Sequence, residues 1–316
     1  MKLLKLVPDN TNIDFMRWRN VALTLQILMV IAALSLVAVK GLNLGIDFVG
    51  GQVVRATFAQ PVDVEELRSR VNQLELGDAS IQEFGGPRTY QIRLPKPEGG
   101  VAAASRAVTE VRQMIAESYP DARVDAGESV SGKVSEELAL DGALAITLAM
   151  LGIAIYLWFR FEWQFGVGAL ATLAHDVSMI FGFFAITQYQ VDLNIVAAFL
   201  AVVGYSLNDT VVIYDRIREN LRKYRKMAII PLINLSLNET LSRTIVTSLS
   251  IMLALAALLF LGPDVIFGLT LAILLGTFIG TYSSIYISAP MLVWLGVKPD
   301  SFLRVEDGAG PRPQEV

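Results

Sequence analysis

The chain contains no cysteine among its 316 residues, which excludes disulfides, thiolate metal sites and cysteine nucleophiles. Its only histidine is His175, so a metal centre built from several histidines is excluded as well. There is no Gly-x-x-x-x-Gly-Lys-Ser/Thr loop, and therefore no recognisable site for nucleotide hydrolysis. These absences predict a protein that is not an enzyme and that needs no metal or other cofactor.

Charge is scarce too, since Asp, Glu, Lys and Arg make up 18% of the residues, against about 25% in ordinary soluble proteins. The net charge of −4 argues against a broadly basic surface that binds nucleic acid. What the chain has instead is apolar sequence, with 53% hydrophobic residues and a mean hydropathy of +0.51. This composition predicts an integral membrane protein.

Long apolar runs predict six membrane-spanning helices. The first covers residues 20–40 behind a basic segment at 1–19, and it is longer than the apolar core of a cleaved signal peptide, which is the alternative. The other five lie within residues 138–295. Their predicted limits are 138–159, 165–187, 195–214, 243–261 and a last helix that follows the 262–264 turn and ends near 295.

Lysine and arginine are concentrated in alternate connections, at the N-terminus, around Arg160, in a basic loop at 215–242 and at Lys298. The other short connections between spans contain neither residue type. Because short basic loops stay in the cytoplasm, both termini, including a tail at 296–316, are predicted to be cytoplasmic. The long segment after the first span then lies outside the cytoplasm.

That segment, residues 41–137, changes abruptly in composition, with Gly, Pro and charged residues between short alternating runs. The runs predict a soluble α+β domain with the ferredoxin-like order β-α-β-β-α-β. Its predicted strands are 52–58, 80–84, 89–94 and 122–130, and its predicted helices are 62–76, with Asp63 as N-cap, and 102–118. The predicted fold is thus an α-helical membrane protein with six transmembrane helices and one α+β domain between helices 1 and 2.

The fourth span carries Asn208 and Asp209 within apolar sequence. A carboxylate in hydrocarbon costs about 2.5–3.5 kcal/mol on insertion scales, so an aspartate there is functional by default. We expect Asp209 to face a protein interior or a water-filled crevice, where it can load and release a proton. The alternative is a permanent hydrogen bond from Asp209 to a neighbouring Ser, Thr or Asn that only holds helices together.

Three further polar residues lie in or beside the spans. His175 and Asp176 are adjacent in the third span, where consecutive side chains point about 100° apart, so we do not expect them to pair tightly. Each is either part of a proton path or a hydrogen-bonded packing residue. Arg243 begins the fifth span, four residues after Glu239. It is either a partner of Glu239 or a lipid-headgroup anchor, or else the mobile counter-charge of Asp209.

Small residues form stripes on two of the spans. On the fourth span, Gly204 and Asn208 continue a stripe from Ala197 and Ala201. On the last span, small residues recur every four positions at Gly268, Ala272, Gly276, Gly280, Ser284 and Ser288. Such edges let a neighbouring helix approach closely, and both sliding and static packing are compatible with them.

Four segments occur in a characteristic order, at 45–51 (Gly-Ile-Asp-Phe-Val-Gly-Gly), 174–177 (Ala-His-Asp-Val), 206–220 and 238–244. With them, nearly the whole chain closely resembles the SecD/SecF family of the resistance-nodulation-division superfamily. The resemblance implies an accessory subunit of the Sec preprotein translocase in the bacterial inner membrane. It also implies that Asp209 and Arg243 match the family's proton-pathway residues, and more weakly that His175 and Asp176 belong to the same path.

The resemblance implies partners as well: a SecD half with six matching helices, YajC, the SecYEG channel, the preprotein in transit and membrane lipid. Such a complex uses the proton-motive force to help preproteins finish crossing and leave on the periplasmic side. Gly45, Asp47, Gly50 and Gly51 would then form the hinge of a periplasmic domain, with Asp47 bonding backbone at the turn. Two other functions stay open, half of a proton-coupled small-molecule exporter and a translocase scaffold without motor activity.

Overall fold

The computed structural model describes residues 8, 11–77, 79–84, 86–96, 100–125 and 127–298, so the predicted tail lies outside the described residues beyond Lys298. Its helices are α1 (Arg19–Lys40), α2 (Ile46–Val49), α3 (Val64–Asn72), α4 (Gly100–Ser118), α5 (Gly132–Arg160), α6 (Trp163–Thr187), α7 (Leu193–Lys223), α8 (Ile229–Leu261), α9 (Phe267–Ser283) and α10 (Ala289–Trp294). Short 3₁₀ turns at Phe15–Trp18 and Asp264–Ile266 precede α1 and α9, and a π-helical turn, Ser284–Ser288, joins α9 to α10. The strands are β1 (Gly51–Thr57), β2 (Ser80–Glu83), β3 (Thr89–Leu94), β4 (Arg123–Val124) and β5 (Glu128–Val130).

Six helical stretches of the described chain are long and apolar enough to cross a membrane. They are α1 with its preceding turn, α5, α6, α7, α8 and the continuous unit from α9 to α10. Helices form here because a lipid-exposed backbone must satisfy its N–H and C=O groups internally. The six spans predicted from hydropathy are confirmed, although α5 begins at Gly132, earlier than predicted.

The predicted basic loop at 215–242 is mostly helical. Both α7 and α8 extend into it, and only residues 224–228 connect them. Arg, Lys and Glu are good helix formers, so charge alone does not end a helix. Here Arg216 pairs with Glu219 on the same helix and with Glu239 on α8, each at 2.7 Å. Charge therefore marks where the helices leave the apolar layer, and the range predicted as a basic loop is helical except at residues 224–228.

The soluble domain has the predicted ferredoxin-like topology. Its sheet order is β2-β3-β1-β4 with antiparallel pairing throughout. The predicted strand 122–130 is two short strands, because β4 and β5 pair separately with β1. α3 and α4 cover one face of the sheet, where Val54, Leu67, Ile92 and Val111 are fully buried. The other face of the sheet is free to meet the membrane helices.

The membrane bundle contains a close crossing of α7 and α9. A Cβ atom at Gly276 would lie 2.3 Å from a Cγ atom of Val202, and one at Gly280 would lie 3.2 Å from the Cα atom of Ser206. Gly276 and Gly280 have no side chain at the point where α9 touches α7, so the two backbones approach closely. The small-residue edge of the last span is thus a packing surface against α7 within this chain.

The stripe that contains Gly204 and Asn208 behaves differently. Both residues are exposed, and a Cβ atom at Gly204 would meet nothing within 4 Å. The reason is that α7 turns its other side, with Val202 and Ser206, towards the rest of the bundle. Within the described chain no helix covers this stripe, so the packing role of Gly204 and Asn208 stays a prediction for a helix of another chain.

Candidate functional site

Asp209 lies buried in α7, with 8% of its surface exposed. Among the described residues its carboxyl group has one hydrogen-bond donor, the Ser248 hydroxyl on α8, which lies 3.2 Å from Asp209 Oδ2. The Ser248 oxygen in turn accepts a hydrogen bond from the Thr281 hydroxyl on α9 at 2.8 Å. The carboxyl group therefore sits where three spans meet. One long bond leaves most of the four lone-pair positions of a carboxylate unused.

A small cavity of about 20 Å³ adjoins this carboxyl group. Tyr205 and Asn208 line it from α7, together with Asp209, Ser248 and Thr281. A cavity of this size is large enough for one water molecule, which could pass a proton to or from the carboxyl group. Asp209 is thus polar, buried and loosely bonded, whereas a residue that only holds helices together has its acceptors filled.

Arg243 does not pair with Asp209 among the described residues. It lies exposed on α8, five residues before Ser248 and so about 7.5 Å away along the helix axis. The pairing of Arg243 with Glu239 is not found either, because Glu239 binds Arg216 at 2.7 Å and the Asn220 amide at 2.6 Å. Within the described chain Arg243 has no ion-pair partner, and its contact with Asp209 stays a prediction.

His175 and Asp176 do pair, which corrects the prediction that neighbours on one helix cannot. His175 Nδ1 lies 2.8 Å from Asp176 Oδ1, and both side chains are buried. The Cβ atoms diverge, but the histidine side chain rotates back far enough for its ring to reach the carboxyl group. Asp176 Oδ2 also accepts hydrogen bonds from Ser206 on α7 and from Ser283 on α9, the latter at 2.8 Å.

Sequence reasoning missed Gln26 in α1. Its Oε1 atom lies 2.7 Å from His175 Nε2, and its Nε2 atom donates to the Tyr282 hydroxyl on α9 at 3.2 Å. Only 6% of its surface is exposed, although it stands within a long apolar span. That isolated amide among apolar residues was the available signal, since a polar group inside a membrane helix needs a partner.

The predicted hinge joins the soluble domain to the start of α7. The Gly45 N–H donates to the Val191 carbonyl at 2.7 Å. Gly50 and Gly51 have φ angles of +74° and +124°, which only glycine adopts without strain. The glycines of the 45–51 segment are therefore required by backbone conformation and close approach, while the hinge motion itself stays a prediction.

Asp47 bonds backbone of a different element from the one predicted. Its Oδ2 atom accepts a hydrogen bond from the Leu193 N–H at 3.0 Å, in the first turn of α7 and not in its own turn. The reason is that Leu44 forms a β-bridge with Val191, which brings the unpaired N–H groups of the helix start within reach. This contact fastens the root of the soluble domain to the helix that carries Asp209.

The uncovered face of the sheet rests on the link between α6 and α7. Gln82 Nε2 donates to the Gln188 carbonyl at 3.4 Å, and Gln91 Nε2 donates to Gln190 Oε1. A cavity of about 290 Å³ lies between the two parts. Its charged lining consists of Asp47, Arg55, Glu83, Glu128 and Asp192. The contact between the sheet and the membrane helices thus includes polar side chains beside a cavity.

Asp192, the N-cap of α7, lines this cavity and accepts a hydrogen bond from the Ile195 N–H at 3.0 Å. Burial raises the pKa of the Asp192 carboxyl group, the Ile195 N–H offsets part of that rise, and the Asp47 carboxylate adds to it. A folded-state pKa above the unfolded value means that the folded chain binds this proton more tightly. The stability contribution is therefore present at low pH and is lost as the pH rises through the folded-state pKa.

Replacing Asp192 with asparagine is expected to remove that loss, since asparagine caps a helix equally well and carries no charge. The measurement is the thermal unfolding midpoint of the purified full chain in detergent, from about pH 4 to about pH 8. The gap between variant and native protein should widen in favour of Asp192→Asn as the pH rises. Asp63→Asn, an exposed N-cap in α3, is the matched control. A constant gap for Asp192→Asn across the range would contradict the expectation.

Comparison with known proteins gives a consistent result. Residues 110–298 match the family model described as protein export membrane protein SecD/SecF, C-terminal, and residues 35–62 match the SecD/SecF GG motif. A protein translocase subunit SecF from Rhodobacter capsulatus is 42% identical over 93% of this chain and 92% of its own length. The SecF subunit from Pseudomonas aeruginosa is 41% identical over 95% and 98%.

Two solved structures of SecDF are similar to the chain. The translocon-associated SecDF from Thermus thermophilus has a TM-score of 0.84 at 34% identity, and this chain covers only 39% of its length. A SecDF in a super-membrane-facing form has a TM-score of 0.65 at 33% identity, again over 39% of its length. At nearly equal identity, the chain is therefore closer in conformation to the first form than to the second.

Proposed function

This chain belongs to the SecD/SecF family of protein-export membrane proteins and is an accessory subunit of the Sec translocase, and we propose that it couples export to the proton-motive force through Asp209. The observation that carries the proposal is the state of that carboxyl group. It is buried between α7, α8 and α9, adjoins a water-sized cavity and accepts one hydrogen bond of 3.2 Å. A group in that state can change charge without breaking a packed network.

The proton-motive force is large enough to shift an equilibrium between two conformations of the helices. A membrane potential of about 100 mV supplies about 2.3 kcal/mol for each charge that crosses. A deprotonated Asp209 attracts Arg243 on the adjacent helix, and protonation removes this attraction. Each proton then shifts the equilibrium between two positions of α7 and α8, and the soluble domain moves with these helices.

Movement of α7 reaches the soluble domain by a short route. The same helix carries Asp209 in its interior and receives the Asp47 side chain at its first N–H. A shift of α7 therefore acts on the 45–51 segment and on the glutamine contacts beneath the sheet. The chain superposes better on one SecDF structure than on the other, and this difference supports a protein that changes conformation.

The exposed stripe on α7 is proposed to face the SecD half. Gly204, Tyr205 and Asn208 are exposed there, beside Asp209, and Arg243 is exposed on α8. A small residue and an amide at membrane depth suit close packing and hydrogen bonding with a second helix. We propose SecYEG, YajC and the preprotein as the further partners of the assembled complex.

The chain is a multi-pass membrane protein, and we propose that it lies in the bacterial inner membrane with both termini in the cytoplasm. The support is the distribution of basic residues, since Arg218, Arg222, Lys223, Arg225 and Lys226 cluster around the connection between α7 and α8. The soluble domain then lies in the periplasm, on the side where an exported chain emerges.

The test is completion of preprotein transport in inverted membrane vesicles with and without a proton gradient. Vesicles that contain this chain and SecD should complete transport faster when the gradient is present, and vesicles without this chain should lose that difference. If the gradient accelerates transport equally in both preparations, the motor function is wrong. If this chain accelerates transport equally with and without a gradient, it acts as a scaffold.

A further inference from the structure

We propose that Gln26 is a positioning residue that changes its amide orientation when the His175–Asp176 pair gains or loses a proton. This inference deepens the proposed proton coupling and rests on it for its functional meaning. Its structural basis is a chain of four groups, in which Tyr282, Gln26, His175 and Asp176 are joined by successive contacts of 3.2, 2.7 and 2.8 Å. All but the tyrosine are buried.

Hydrogen-bond direction fixes how many protons the chain of groups holds. An amide oxygen only accepts, so with Gln26 Oε1 against His175 Nε2 the ring must carry a proton on Nε2. The contact between Nδ1 and Asp176 Oδ1 then needs one further proton, on either the ring or the carboxyl group. The pair is neutral overall in this arrangement, which is the loaded state.

Removal of one proton requires the opposite arrangement. The remaining ring proton then lies on Nδ1 and is donated to the Asp176 carboxylate, which keeps its hydrogen bonds from Ser206 and Ser283. His175 Nε2 becomes an acceptor, so Gln26 must turn its NH₂ group towards the ring. Its oxygen then accepts from the Tyr282 hydroxyl, which can donate as well as accept. Loss of a proton from the His175–Asp176 pair on α6 therefore rotates the Gln26 amide on α1.

Gln26 lies on the helix that leads into the soluble domain, so rotation of its amide can affect that domain. α1 runs directly into the 41–51 segment and the soluble domain, and it packs against α6 so closely that a Cβ atom at Gly182 would lie 2.6 Å from Ala33 Cβ. The amide is a buried polar contact between these two helices, so its two orientations are two states of the α1–α6 interface. Proton loading on α6 therefore reaches the domain through α1, in parallel with the route through α7.

Few other ionisable groups face this site. α9 contributes Tyr282, and the π-helical turn contributes Tyr286, whose ring centroid lies 4.9 Å from that of Tyr282. α7 contributes Asp209, one turn beyond Ser206. α1 carries charged residues only at its two ends, and α10 contains no titratable residue. The titratable residues of α5 lie within its first ten and its last five positions. Among the described residues of the elements packed against α6, Asp209 is therefore the carboxyl group that lies nearest in sequence to a residue of this site, three positions after Ser206.

His175 is the only histidine of the chain, so labelling with ¹⁵N-histidine gives one pair of ring-nitrogen signals. The measurement is solid-state NMR of the full chain in lipid bilayers from about pH 5 to about pH 9. When the His175–Asp176 pair loses a proton, Nε2 should become unprotonated and Nδ1 should keep its proton. Persistence of a protonated Nε2 throughout, or loss of the proton from Nδ1 instead, would overturn the proposal.

Gln26→Glu tests the amide directly, because an ionised carboxylate at this position can only accept a hydrogen bond. The variant should lose the unprotonated Nε2 signal at every pH in the range. Thr24→Val, an exposed polar position in the same turn of α1, should behave as the native chain does. A Gln26→Glu titration equal to the native one would also overturn the proposal. Since the readout needs no export, it separates failure of this inference from failure of the motor function.

Discussion

Replacing Asp209 with asparagine is expected to remove the stimulation of preprotein export by a proton gradient, a loss of up to about 50-fold at 100 mV. This limit follows because about 2.3 kcal/mol per charge corresponds to slightly less than two factors of ten. Asparagine keeps the size of the side chain and still accepts the hydrogen bond from Ser248, so the helix junction remains intact. What the variant lacks is a group that changes charge.

The measurement is completion of a preprotein in inverted vesicles that contain this chain with SecD, with assembly checked by co-purification. Asp215→Asn is a matched control, because it removes a carboxylate from the same helix, where it pairs with Arg160 at 2.6 Å outside the buried junction. The control should keep its response to the gradient. A full response in Asp209→Asn would show that this carboxyl group only holds the helices together.

Gly276→Ala is expected to lower the free energy of unfolding by about 1–3 kcal/mol, the usual cost of overpacking. The new methyl group would lie within 2.3–2.9 Å of three atoms of Val202, and these atoms belong to a short, branched side chain that cannot turn away. α7 and α9 would have to separate at their closest crossing. The midpoint of thermal unfolding in detergent measures the effect.

Gly204→Ala is the matched control for this substitution. It also lies in a small-residue stripe of a span, but its new methyl group would meet nothing within 4 Å in this chain. Alanine is the better helix former by about 1 kcal/mol, so the variant should be as stable as the native chain or more so. Equal destabilisation by both substitutions would contradict the packing described for α7 and α9. A loss of SecD binding in Gly204→Ala alone would support the partner-facing role of that stripe.

Sequence patterns were sufficient for the spans and for the domain, because both depend on local regularities. Twenty or so apolar residues must form a helix in a membrane, and alternation with turn residues defines the short strands of the ferredoxin-like order. The limits of α7 and α8 were not predictable in this way. Ion pairs between Arg216 and its acidic partners stabilise α7 and α8 beyond the apolar layer. Hydropathy locates the apolar part of a helix, so it does not show where these helices end.

The candidate site was predictable as a set of residues but not as a set of contacts. Asp209, His175 and Asp176 stand out because ionisable groups are rare in apolar spans. Which of them meet depends on side-chain rotamers and on helix packing, so the pairing of His175 with Asp176 and the contact of Asp47 with α7 were predicted wrongly. Gln26 was overlooked because an uncharged amide does not interrupt an apolar run.

If this chain moves protons through Asp209 during export, a proton flow that depends on Asp209 can be measured. Proteoliposomes with this chain, SecD and the channel would carry a pH-sensitive dye inside, and native and Asp209→Asn preparations would be compared on addition of preprotein. We expect a proton flux that depends on export in the native preparation and is absent from the Asp209→Asn preparation. An equal flux in both preparations would contradict this expectation.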